Sequence, residues 1–123
     1  MAGPAPPRRA VTASAMDKVL ILFGPPVDAA AFARYFEETH RPLLDRLPHL
    51  GAIEAHWVTG AVTGDLAVHL LVELGFASEQ ALQDGLNSDA GQKMARDYPS
   101  FASGGVTILL SSSVPIPAGK NDG

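Results

Sequence analysis

An α+β fold is what this sequence predicts: β-α-β-β-α-β, with a four-stranded antiparallel sheet carrying both helices on one face. Three observations lead there. Short apolar runs bounded by glycine and proline stand near both ends of the chain, KVLILF at 18–23 and VTILLSSS at 106–113. Inside them lie two segments with helical spacing, and between those a pair that alternates with a period of two. The order contains no internal repeat and matches the split β-α-β arrangement called ferredoxin-like.

The first strand is KVLILF, stopped by Gly24-Pro25-Pro26. Asp28 then occupies an N-cap position, and AAAFARYFEETH follows as good helix former. At 100° per residue, Phe32, Phe36, His40, Leu43 and Leu47 share one apolar arc. Pro42 is out of place on such a helix, because it lacks a donor and crowds the preceding turn. Its presence predicts a kink beside His40, and Pro48 and Gly51 end the segment. His49 is expected in an exposed turn.

Residues 52–58, AIEAHWV, and 66–74, LAVHLLVEL, flank the turn-rich TGAVTGD and read as a β-hairpin. Like faces must align across the pair, which predicts His56 and His69 on the same side of the sheet. Ser78 caps a second helical region, broken near Asn87-Ser88-Asp89 where a new capping residue appears. Tyr98-Pro99 stops it, and Gly104-Gly105 turns the chain into the last strand. The uncovered sheet face keeps Val58, Leu71 and half of the two outer runs, so a second copy packed sheet to sheet is expected.

Composition bounds the function. The 123 residues suit one domain, and 46% hydrophobic against 18% charged residues is a globular balance. A net charge of −4 without basic runs argues against nucleic acid. The absence of cysteine excludes thiolate nucleophiles, iron–sulfur clusters and disulfides. No apolar run approaches the roughly 20 residues a bilayer requires. Residues 1–16 read as a flexible Pro/Ala-rich leader, 17–114 as the domain and 115–123 as a flexible tail. The leader lacks the apolar middle of an export signal, which predicts a cytoplasmic protein.

The stretches FARYFEETHRPLLDRLPHL and FASEQALQDGLNSDAGQKMARDYPSF carry a further signal. The first holds an aromatic pair, then T-H-x-P-L and L-P-x-L; the second ends with Asp97 and Phe101 four apart. With these motifs the chain resembles the EthD family of dimeric α/β-barrel proteins over about residues 17–112. Phe36 departs from the tryptophan that many relatives carry. The resemblance implies a ferredoxin-like fold, a dimer joined through its sheets, and a pocket in each subunit between sheet and helices. It also implies an association with ether degradation beside an oxidising system. Proteins of the same fold include lactone isomerases, polyketide-modifying enzymes, cofactor-free quinone-forming oxygenases and heme-degrading oxygenases, so fold alone does not choose a reaction.

His40 is the first catalytic candidate. An imidazole half-desolvated at a pocket mouth suits proton abstraction from an acidic carbon or phenol. Its structural alternative is a histidine bonded to the Glu38 carbonyl that Pro42 leaves without a donor. Asp97 is the second candidate, since a carboxylate at a helix C-terminus opposes the dipole and needs another partner. Tyr35, Phe36, Trp57, Tyr98 and Phe101 could line a flat aromatic pocket or serve as core. His56 and His69, flanked by Glu54 and Glu73, are a polar site inside the barrel, a metal site with carboxylate help, or simply part of a dimer interface or exposed polar face. No H-x-x-x-H or H-E-x-x-H spacing supports a metal, and no cofactor is expected. The function expected is cofactor-independent chemistry of oxidoreductase, isomerase or dehydratase type on a small hydrophobic, oxygenated or aromatic metabolite. The alternative is a non-catalytic binding or accessory protein. A heme-degrading reading would need His40 as axial ligand and room for a macrocycle.

Overall fold

The computed structural model describes residues 16–119. The sheet has the order β2-β3-β1-β4, with β1 Met16–Phe23, β2 Leu50–Trp57, β3 Leu70–Phe76 and β4 Val106–Ser113, every pairing antiparallel. Helical segments α1 (Ala29–Tyr35) and α2 (Arg41–Leu44) join β1 to β2, and α3 (Glu79–Asn87) and α4 (Asp89–Asp97) join β3 to β4. The expected α+β, ferredoxin-like topology is present. The leader assigned to 1–16 lies outside the described residues except Met16, which belongs to β1 opposite Ser113. The tail is exposed and without regular structure over 115–119, and its remainder is outside the described residues.

β1 alternates without exception. Val19, Ile21 and Phe23 are buried, as are Leu70, Val72, Leu74 and Phe76 of β3 beside them. Together with Phe32, Phe36, Leu44, Leu82 and Met94 from the helices they form the core. Burying such side chains contributes about 1.5–3 kcal/mol each before the entropy of ordering the chain is subtracted.

Pro42 produces a change of helix type. Residues Phe36–His40 form a π-turn between α1 and α2, closed by the Arg41 amide donating to the Phe36 carbonyl five residues back. Pro42 then sits in the first turn of α2, where its missing N–H costs little. The wide turn also shifts the phase of everything after it. Leu44, not the expected Leu43, is the fully buried leucine of α2.

The hairpin differs most from expectation. β3 begins at Leu70 rather than Leu66, and residues 58–69 form a long connection. Strand pairing explains it: β2 ends at Trp57 opposite Leu70, and β1 ends at Phe23, also opposite Leu70, before Gly24-Pro25-Pro26. Leu66, Ala67 and Val68 alternate correctly but have no strand on either side to pair with. His49 takes a left-handed conformation (φ 67°) in an exposed turn, as expected. Among the described residues no helix is long and apolar enough to cross a membrane.

Candidate active site

The π-turn swings His40 inward, onto Phe23 of β1, Tyr98 and Phe101; the last two ring centroids are 5.0 and 4.8 Å away. The expected place at a pocket mouth is corrected: His40 is 0% exposed. Its partner is also not the backbone carbonyl that Pro42 frees. His40 Nδ1 lies 2.9 Å from Asp97 Oδ2, and the Tyr35 hydroxyl donates to Asp97 Oδ1 at 2.7 Å.

Asp97 reaches this position because α4 starts at a fixed point and ends there. Ser88 closes α3 by donating to the Gly85 carbonyl and opens α4 by accepting the Gly91 amide. Nine residues later the helix ends against Tyr98-Pro99-Ser100, a single tight turn. The carboxylate is thus held by side chains from another helix instead of by its own helix end, which answers why it is tolerated there.

The hydrogen-bond pattern fixes the chemistry of the imidazole. A carboxylate oxygen accepts, so Nδ1 carries the proton and Nε2 keeps its lone pair. Nε2 is buried and meets no hydrogen-bond partner among the described residues, and the same holds for the Tyr98 hydroxyl. Burial lowers the His40 pKa from its ordinary 6.5, with the nearby Asp97 carboxylate only partly opposing that shift. The ring is therefore neutral near pH 7, with its lone pair available. The Tyr35 phenol is pushed up, first by its bond to Asp97 and then by burial, and burial holds the Tyr98 phenol protonated far above its usual range.

Tyr35 stacks on Phe101 with centroids 4.9 Å apart and rings 20° from parallel. Both line a surface cleft of about 280 Å³, together with Asp28, Phe32, Ser100 and Ser103. Phe101 thus touches the cleft on one side and the imidazole on the other. Of the sequence-named residues, Tyr35, Tyr98 and Phe101 gather around His40 and Asp97, and Phe36 is a buried wall of the same enclosure. Trp57 packs instead on Phe32 and Phe36 at the far side and is 39% exposed.

His56 and His69 do not share a face. The chain bends at His69, whose ring packs on Phe32 and Trp57 on the helix side. His56 lies on the opposite face, paired in register with Leu71. What the residue pattern missed was the Tyr35 hydroxyl as a third member beside the His40–Asp97 pair; the sequence offers Tyr35 only as aromatic pocket lining or core.

Comparison with known proteins agrees with this architecture. The EthD domain model matches residues 24–105. An uncharacterized 11.0 kDa protein from the thcB-thcC intergenic region of Rhodococcus erythropolis is 31% identical over 96 residues, which span 78% of this chain and 93% of that protein. The crystal structure of an ethyl tert-butyl ether d (EthD) family protein from Bacillus halodurans superposes with a TM-score of 0.75 at 25% identity, covering 80% of this chain and 99% of that one. A dimeric ferredoxin-like protein of unknown function from Thermobifida fusca gives 0.60 at 7% identity, over 84% and 94% of the two chains.

Proposed function

The chain belongs to the EthD family, and from that premise we propose that it is a cofactor-independent enzyme acting on a small oxygenated or aromatic metabolite. His40 Nε2 is the base that removes a proton next to a carbonyl or from a phenol. Asp97 holds the ring by its Nδ1–H and stabilises the imidazolium that forms, and Tyr35 orients Asp97. The observation that carries this reading is the buried, unpartnered Nε2 opposite a carboxylate-bound Nδ1. Leaving a buried acceptor unsatisfied costs about 1–3 kcal/mol, a cost that core packing alone gives no reason to retain. The same carboxylate–imidazole arrangement activates nucleophiles and bases on unrelated folds. Substrate would enter by the cleft beneath Tyr35 and Phe101, and Phe101 would have to move for it to meet Nε2. We also propose a homodimer formed through the sheets, in keeping with the dimeric ferredoxin-like proteins of the same fold.

A panel of phenols and 1,3-dicarbonyl compounds in D₂O, followed by NMR for deuterium incorporation and product, tests the reading. His40→Gln should lower turnover roughly 10²- to 10⁴-fold while ligand affinity stays nearly unchanged. A folded His40→Gln protein with wild-type turnover would remove the base assignment. Ligands that bind the wild type without any exchange or conversion would support the alternative, a binding or accessory protein.

A further inference from the structure

Three metal-ligating atoms converge on the outer face of the sheet, away from His40. The β2–β3 register sets Glu54 directly opposite Glu73, and His56 follows two residues along β2 on the same face. His56 Nε2 stands 3.1 Å from Glu73 Oε2 and 3.5 Å from Glu54 Oε1. All three ligand atoms lie within 4.8 Å of one another. Around a four-coordinate zinc ion with bonds of about 2.0–2.2 Å, neighbouring donors are roughly 3.3–3.6 Å apart, the scale of the two His56 separations.

Two features of the surroundings bear on an ion. Like charges facing each other across a strand pair are unfavourable, and Glu54 against Glu73 is such a pair. Lys18 Nζ offsets one of them by binding Glu73 Oε1 at 2.8 Å, and Glu73 is only 21% exposed at its side chain. That contact fixes the plane of the Glu73 carboxylate and leaves Oε2 turned to His56, the role an outer-sphere partner plays at metal sites. One uncompensated carboxylate remains beside an imidazole nitrogen.

We propose that Glu54, His56 and Glu73 form a binding site for a divalent transition-metal ion of the zinc type, with one coordination position left open. The imidazole decides the class. Magnesium and calcium take oxygen ligands at six or more positions, whereas one nitrogen and two carboxylates suit zinc, cobalt or iron. The ligands come from adjacent strands of one sheet, which hold their spacing more rigidly than loops would. The site stands independently of the His40 chemistry.

The test is titration of the untagged, chelator-stripped full chain with Zn²⁺ by calorimetry and with Co²⁺ by visible absorption at pH 7.5. The expected result is one ion per chain, with the intense ligand-field bands of low-coordinate cobalt. His56→Gln and Glu73→Gln should each weaken binding roughly tenfold or more, with folding confirmed by circular dichroism. His49→Asn, a change at an exposed turn, should leave binding as it is. No uptake by the wild type, or uptake that His56→Gln leaves intact, would overturn the site; the cluster would then be a set of side-chain contacts between His56 and two carboxylates and nothing more.

Discussion

His40 makes the folded state pH-dependent, and the sign follows from its surroundings. Its folded pKa is lowered, chiefly by burial, while the unfolded chain titrates near 6.5. Above that value neither state binds the proton and the full stability is present. Below it the unfolded state takes up a proton that the folded state refuses, so stability falls as the pH drops, by up to about 1.4 kcal/mol per unit. Urea unfolding of wild type and His40→Gln between pH 7.5 and 5 should show this slope in the former and its reduction in the latter. Equal slopes would mean that other groups carry the acid sensitivity. His40 and Asp97 were legible singly, one from its place on an apolar face, the other from an unfavourable helix end. Their bond was not, because it spans 57 positions and depends on where α4 stops. The depth of His40 was also hidden: the pattern gives a side, and only the packing of Phe23, Tyr98 and Phe101 gives the enclosure.

Helices α3 and α4 meet so closely that a side chain at Gly91 has no room. A Cβ built there would run into the Leu86 carbonyl oxygen and lie 2.6 Å from that of Gly85. Backbone cannot yield as a flexible side chain would, so Gly91→Ala should destabilise by about 2–4 kcal/mol. It should also loosen the Tyr35–Asp97–His40 chain, since α4 delivers Asp97. Thermal unfolding together with the His40 Nδ1 proton signal in NMR checks both effects; an unchanged melting temperature would show that the joint gives way freely. The break at Ser88 was readable because a capping serine has a local mechanism. The start of β3 was not, because alternation is local while pairing is not: Leu66–Val68 carry strand chemistry with nothing alongside. The π-turn lies between these cases. Pro42 announced a disturbance, but only the buried Leu44 reveals that it adds phase instead of ending the helix.

Among the described residues, β4 carries a continuous run of exposed large apolar side chains. Its Ile108, Leu109 and Leu110 are 45%, 46% and 59% exposed. Register puts Ile108 and Leu110 beside Ile21 and Val19, on the helix side, and Leu109 beside Leu20 on the outer face. The helices therefore do not reach β4, and the surface awaiting cover extends over both sides of an edge strand, beyond the single bare face that alternation suggested. Sedimentation at micromolar concentration should find a dimer, and Leu109→Glu should shift it toward monomer; a wild-type monomer throughout would remove the proposal. If the two copies complete each other in this way, the strength of the fold is set partly by how much protein is present. Each tenfold dilution would subtract about 1.4 kcal/mol from the apparent stability of the pair, so that the melting temperature climbs with concentration. Abundance would then act as a structural variable, and a cell making little of this chain would hold a weaker version of the same protein.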